Sequence, residues 1–475
     1  MINAKTDHAG GGKWMVFAVT GMANLVTAFS INSLALALPY LQNEFGVRQS
    51  AVGWLAMVYS LVSCCTLLIF GRTAELYGYR RQFKAGFLFF GLICLAAPLL
   101  SKTIGVLILF RCLQGLGYSM MISITQAIVS RSFDESERGK ALGVNSVFVS
   151  IGLAAGPTLG GFLLQFFSWR AMFYINIPFC LAGYWAARRF LPADAAGRAS
   201  GRRMDTAGAV LFSLSVGAIV IGLNFCGVWG FASAPFIACM LAGILGLAAF
   251  VKRETVIKSP LMDLSLFKSR AFSLANAVCL ISYLVQQLIT YTMPFYLINI
   301  LLLSSNGAGL IMLASPLLMM FFSPVGGGLA DKRGGRLPAG AGLALICAGC
   351  LIMSFMRETS APAAVVAVLI LAGTGSGLSV SSINSVIISS APESHAGVAS
   401  GMVATMRNLG QTLGVVCASM ILTLRQPVYA NLPGRGAYLF AQRDAYYFGV
   451  GALIAALILI LFLPANRPAK RHKMT

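Results

Sequence analysis

Apolar residues run in blocks of roughly 20 along nearly the whole chain, broken by short stretches that hold most of the charged residues. The blocks are continuous and rich in Leu, Ile, Ala and Gly, without the apolar-polar alternation of barrel strands. A block of that length is what a helix needs to cross about 30 Å of hydrocarbon, and a helix satisfies its own backbone polar groups there. The pattern predicts spans beginning near Trp14, Ala51, Phe83, Ile104, Ala141, Met172, Thr206, Ala234, Ala271, Ala308, Ala339, Ala363, Ala396 and Tyr446. The expected fold is an all-α polytopic membrane protein with fourteen transmembrane helices.

Composition agrees with lipid as the solvent: of 475 residues 58% are hydrophobic and 10% charged, too little polar surface for a soluble domain of this length. The net charge of +21 raises the question of nucleic acid, but the basic residues cluster in alternate loops, as orientation signals do. With both termini placed in the cytoplasm, the outer side holds only Arg48, Lys102, Arg170, Arg357, Arg425, Arg435 and Arg443 of the 35 Lys and Arg. Arg111 and Arg407 fall within spans, and the rest lie inside. The first span is too long and too late for a cleavable signal peptide. The 11 cysteines lie mostly in apolar spans. Even the Cys347/Cys350 pair has no second pair or nearby His, so small buried residues are expected rather than a metal or redox site, and no cofactor.

The chain repeats itself. Gly71, Glu75 and Gly78 recur as Gly327, Asp331 and Gly334, and Gly139, Gly143, Gly152 and Gly156 recur as Gly397, Gly401, Gly410 and Gly414, at a nearly constant offset. Two related six-helix bundles follow, residues 14–192 and 271–463, separated by two intercalated helices in 206–251; parallel repeats of this kind enclose a site near the midplane.

Six stretches carry further information. GRTAELYGYRR (71–81) and GGLADKRGGR (327–336) each join a helix to the next through Gly, an acid and Arg; the residues are Gly71, Glu75, Gly78, Arg80 and Arg81, then Gly327, Asp331, Gly334 and Arg336. An acid there can meet the positive end of a helix in the other half and latch a gate, or the loop can serve only as a positive topology signal. LFRCLQGLG (109–117) places Arg111 and Gln114 inside a span, where an Arg is costly and faces a cavity, a partner or backbone carbonyls. GLAAGPTLGG (152–161) puts Gly152, Gly156 and Gly160 on one helix face with Pro157 as a bend. WRAMFYINIP (169–178) and PLMDLSLFKSRAF (260–272) flank the intercalated pair.

These stretches resemble the major facilitator superfamily, and together with the two extra helices they resemble its 14-helix drug:proton antiporter branch over nearly the whole chain. The resemblance implies two rocking bundles, both termini cytoplasmic, a bacterial inner membrane, no enzymatic activity, and export of drugs or amphiphilic small molecules by proton antiport. It marks Arg111, Gln114 and Glu75 as proton-coupling candidates. One departure is notable: where that branch carries an acid nine residues before the Pro of ALP, here Ala37, Leu38 and Pro39, this chain has Ser30. All 14 acids, Asp7, Glu44, Asp134, Glu135, Glu137, Glu358, Glu393 and Asp444 among them, fall in tails, loops or span ends, as do His8, His395 and His472.

With Arg111 and Arg407 the only full charges inside spans, an organic cation is disfavoured by repulsion at low dielectric, and neutral or anionic amphiphiles are favoured. Polar positions on helical faces nominate Asn24, Thr27 and Ser30, then Tyr283, Gln287, Thr290 and Tyr291, then Arg407, Asn408 and Gln411 as cavity residues; each serves equally well as an interhelical hydrogen bond. A dedicated exporter of an anionic, lipid-like or other metabolite, coupled or uncoupled, is the alternative. A non-transporting sensor or scaffold is the distant one. The expected partners are the cargo, a proton and the bilayer, with the chain a monomer and no nucleic acid bound.

Overall fold

The computed structural model describes residues 11–132, 135–191, 194, 205–257, 264–391, 396–432 and 435–463. Asp7, His8, Asp134, the end of the first bundle at 192, Arg198 to Arg203, Pro260 to Asp263, Glu393, His395 and His472 lie outside the described residues, and so do the side chains of Glu75, Glu135, Glu137, Asp331 and the positions Gly139, Gly143 and Gly397.

All the described regular structure is helical. In chain order the helices are α1 (Gly11–Phe45), α2 (Gln49–Tyr77), α3 (Tyr79–Leu100), α4 (Ile104–Ser132), α5 (Glu135–Phe166), a short α6 (Ala171–Tyr174) continued by α7 (Asn176–Phe190), then α8 (Thr206–Trp229) and α9 (Ala234–Val256). There follow α10 (Arg270–Phe295), running into a π turn at Tyr296–Ile300, α11 (Ser305–Met312) continued by α12 (Ala314–Arg333), α13 (Arg336–Ser354), α14 (Pro362–Ser389), α15 (Ala396–Arg425) and α16 (Gly436–Leu461). Among the described residues ten helices are long and apolar enough to cross a membrane, with shorter apolar helices at Ala51–Leu67 and Ile151–Phe166. The segment α6–α7 is broken at Ile175, where Asn176 Nδ2 donates to the Met172 carbonyl at 2.8 Å. α15 carries Arg407, Asn408 and Gln411, which lower its apolar content.

Helix ends are written in the sequence. Ser233, Ser269 and Ser304 each accept a backbone N–H from three residues on, capping α9, α10 and α11. Gly78 and Gly334 end α2 and α12 with φ of 106° and 83°, and each donates its N–H 2.9 Å to the carbonyl of Ala74 or Ala330. The repeated glycine is there because an L side chain resists that backbone.

α3 shows how a span divides its surface. Phe83, Phe87, Phe90, Cys94 and Ala97 are buried, while Leu88, Leu92, Leu95 and Leu99 on the opposite face are exposed. A helix apolar on both faces belongs in lipid, and the chain is an integral membrane protein.

Within the first half α1 packs on α5, α2 and α3 on α4, and α7 on α3 and α1; within the second α10 packs on α15, α12 and α13 on α14, and α16 on α13. The glycines make the two principal seams. A Cβ at Gly152 would stand 2.7 Å from the Leu25 carbonyl oxygen, and one at Gly156 2.6 Å from the Asn32 Cβ. In the second half a Cβ at Gly410 would stand 2.5 Å from the Leu280 carbonyl oxygen, and one at Gly414 would collide with that of Leu284. Backbones therefore touch along α1/α5 and again along α10/α15, the spatial counterpart of the sequence repeat.

The intercalated helices differ from one another. α9 packs on α8 and the 3-10 turn at Leu264–Lys268, and exposes Ile237, Leu241, Ile244 and Leu245. α8 instead packs against both α2 and α15: Ser213 Oγ donates to the Cys65 carbonyl at 3.0 Å, the Trp54 and Phe225 rings lie 5.6 Å apart, and Gly227 faces Thr423. It is thus not a lipid-facing filler. At one end Arg253 clasps Asp205 with two nitrogens, at 2.7 to 3.0 Å, joining α9 to the cap of α8. Those hydrogen bonds, with the Gly208 N–H, hold the Asp205 carboxyl below its ordinary range against the opposing effect of burial.

Two outcomes follow. Gly156→Val lowers stability in detergent by about 1–3 kcal/mol through overpacking, whereas Gly401→Ala, with open space around it, leaves the melting temperature unchanged or raises it. Because the Asp205 carboxyl is depressed, its contribution is present above about pH 4 and lost as pH falls through the folded value. Wild type therefore loses its melting-temperature advantage over Asp205→Asn on acidification below about pH 4.

Candidate functional site

The junction between α2 and α3 is tied to its own half. Asp194, beyond α7, accepts the backbone N–H groups of Arg80 and Arg81 at 3.0 Å each, and so sits on the positive N-terminus of α3. Arg80 also donates to the Arg188 carbonyl, and a Cβ at Gly78 would collide with the Asp194 carboxyl. At this end of the bundle a Cβ at Gly327, Gly328 or Gly401 would meet none of the described residues within 4 Å, and one at Gly71 would meet only Ser123 among them. Arg336 opens α13, as Arg80 and Arg81 lie in the first turn of α3.

The opposite end is closed between halves. A Cβ at Gly161 in α5 would stand 2.5 Å from the Ser305 carbonyl oxygen, and one at Gly309 in α11 would strike that of Pro157. Pro157 thus lies where α5 meets α11, and one turn on a Cβ at Gly160 would stand 3.0 Å from the Ser33 Cα of α1. Beside this, Tyr291 is fully buried with its hydroxyl 2.8 Å from the position of a Cβ on Gly53 of α2, and Gln426, just past α15, donates to Gln49 of α2 at 2.9 Å.

Arg111 is sealed inside the first half at 2% exposure. Its Nε donates to the Leu55 carbonyl at 3.2 Å, and its Nη1 to Gln114 Oε1 at 2.7 Å and Ser30 Oγ at 3.4 Å; the guanidinium lies 4.4 Å over the Tyr59 ring. Gln114 in turn donates to Cys94 Sγ at 3.1 Å. These carbonyl, amide and π contacts hold a cation in place of a carboxylate. Ser30, at the position where an acid was expected, is an acceptor for that cation.

Between the halves lies a cavity of about 130 Å³, space for several waters or the body of a small organic molecule. α1 contributes Asn24, Thr27 and Asn32, and α4 contributes Tyr118. From the second half come Tyr283, Gln286, Gln287 and Thr290 of α10, Ser315 of α12, Ser376 of α14, and Arg407 and Gln411 of α15. Met293, Met312, Met319, Ile122, Leu153 and Leu369 supply apolar wall. Among the described residues Arg407 is the one fully charged side chain of this lining. Thr27 and Thr290 spend their protons on the carbonyls of Ala23 and Gln286, so amides, phenols and the guanidinium remain to meet a guest.

The structure thus gathers Asn24, Thr27, Tyr283, Gln287, Thr290, Arg407 and Gln411 around one space. It places Ser30 against Arg111, Tyr291 in the closed seam, and Asn408 behind the wall, 1% exposed. Tyr118 is a lining residue that the polar-face analysis missed. Its signal was present: Arg111, Gln114 and Tyr118 follow one another at spacings of three and four, a single helical stripe.

Two helical halves meeting around a polar cavity, sealed at one end and embedded in an apolar exterior, define a membrane transport protein. The major facilitator superfamily model matches residues 20–415, and the chain belongs to that family, whose members move small molecules across membranes. Among its curated relatives are the riboflavin transporter RibZ of Clostridioides difficile, 28% identical over 95% of this chain and 97% of that protein, and the multidrug resistance protein Stp of Mycobacterium tuberculosis, 31% identical over 86% and 75%. The tetracenomycin C resistance and export protein of Streptomyces glaucescens is 27% identical over 87% and 77%.

Removing Arg111 leaves the Leu55 carbonyl and Gln114 short of a donor inside the bundle. Arg111→Leu therefore lowers stability in detergent by on the order of 2 kcal/mol, whereas Arg407→Gln, at a wetted wall, shifts the melting temperature little.

Proposed function

We propose that this protein is a secondary efflux transporter for amphiphilic small molecules, working by alternating access in exchange for protons. The observation that carries the reading is the cavity built by both halves, where among the described lining residues amides, phenols and methionines surround a single guanidinium and no carboxylate. Such a lining suits guests with an apolar body and a few polar groups, and methionines adapt to varied shapes. Coulomb repulsion from Arg407 disfavours organic cations. Neutral and anionic amphiphiles are the cargo.

In this reading the chain is a monomer of fourteen spans in a bacterial inner membrane, counting α6–α7 and α11–α12 as one span each, with both termini and both gate loops in the cytoplasm. The closed Gly161/Ser305 seam is then the outer gate and the arrangement faces inward, ready to load. Antiport is supported by the helix-5 glycine and proline signature. With no acid in the cavity lining, the proton is carried outside it, through Glu75 at the inner end of α2 or the Arg111/Gln114 pair.

A second reading is favoured by the full-length similarity to a riboflavin transporter: a dedicated exporter of one planar heteroaromatic compound, held between Tyr118 and Tyr283 by the carboxamides.

Proteoliposomes loaded with cationic, neutral and anionic amphiphiles and with riboflavin, with and without a pH gradient, test both. Gradient-driven export of neutral and anionic compounds, falling in Glu75→Gln to the rate seen without a gradient, is the expected result. Robust export of dications would defeat the charge argument, and movement of a single compound would select the dedicated exporter.

A further inference from the structure

The cavity's one cation is attended by a neutral group from the other half. Arg407 Nη2 of α15 donates to the Tyr118 hydroxyl of α4 at 3.3 Å, and that hydroxyl donates to Asn408 Oδ1 at 3.5 Å. Tyr118 is backed by Tyr59, edge-on at 5.4 Å between ring centroids. Asn408 is 1% exposed, and its Nδ2 has no hydrogen-bond partner among the described residues. A buried amide donor left unmet is costly, and here it adjoins a guanidinium whose ligand is a long contact to a phenol. The cluster is rich in donors and short of acceptors, the condition that a group with two acceptor oxygens relieves.

We propose that Arg407 is the anchor of an oxyanion subsite within the cargo cavity, with the Tyr118 hydroxyl as the stand-in ligand that a cargo carboxylate or phosphate displaces and Asn408 behind the wall as the acceptor that holds this hydroxyl. The proposal rests on the cavity being the cargo path. An anionic oxygen is a stronger acceptor for a guanidinium than a phenol is, so the exchange favours the cargo. It also breaks a link between the halves, since Tyr118 belongs to the first and Arg407 and Asn408 to the second. Loading and release of that link are one event.

A second cavity carries the same sign. It lies at the closed end along the same seam, about 600 Å³ in volume, with Arg48, Gln49, Gln426 and Arg435 in its lining and no carboxylate.

The test uses the purified full-length protein in lipid nanodiscs and two fluorescent probes with the same ring system, pyrenebutyrate and pyrenebutanol, titrated at neutral pH. Wild type is expected to bind the carboxylate about tenfold more tightly than the alcohol, as a charge-assisted hydrogen bond provides. Arg407→Gln removes that preference while still binding pyrenebutanol, which shows that the variant is folded. Arg407→Lys keeps part of it. Tyr118→Phe, having lost the competing hydroxyl, tightens pyrenebutyrate by about two- to fivefold and leaves pyrenebutanol unchanged. Equal affinity of wild type for both probes, or a carboxylate preference intact in Arg407→Gln, overturns the subsite alone. If wild type binds neither probe, the cargo-cavity reading falls and the subsite with it.

Discussion

Backbone against backbone is the contact on which the rest of this molecule depends. Lipid tails offer helices no hydrophobic reward for meeting one another, so association rests on close packing. The α1/α5 and α10/α15 seams provide it because Gly152, Gly156, Gly410 and Gly414 present no side chain. Each seam brings a polar-faced helix, α1 or α10, against a glycine-faced one, and the polar faces are left to look across at each other. The cavity is what remains when two such pairs are brought together at one end by Gly161 and Gly309.

The two arginines buried in the spans solve the same electrostatic problem differently. Arg111 is immobilised by a carbonyl, an amide, a hydroxyl and an aromatic face, a set of ligands that leaves little for a guest to add. Arg407 has one weak neutral partner and open space beside it. Sequence position alone makes them equivalent. Their surroundings differ: one guanidinium is saturated by protein ligands, and the other borders the cavity.

Much of this was legible in the chain. The repeat of Gly71/Gly78 in Gly327/Gly334 foretold two turns with the same backbone geometry, and the Gly152/Gly156 pair with its echo foretold two equivalent seams. Helical spacing on α10 picked out Tyr283, Gln287 and Thr290, because a 3.6-residue period maps a sequence onto a face. What it could not supply was which faces meet. Tyr291 adjoins that stripe but turns into the seam beside Gly53, and Ser30 turns to Arg111; a change of tens of degrees about a helix axis separates a wall residue from a buried one. Tyr118 escaped notice because a lone tyrosine in an apolar span carries no charge to mark it. The position of α8 was equally hidden, since an apolar helix reads the same against lipid as against protein.

α8 has a consequence for what the surrounding bilayer touches. The halves meet along two flanks, α2 against α15 and α5 against α11 and α12. By lying across the first, with Ser213 on Cys65 and Gly227 on Thr423, α8 covers it, and α9 packs on α8. On that flank a lipid or a neighbouring protein meets the exposed leucines and isoleucines of α9 instead of the joint between the halves.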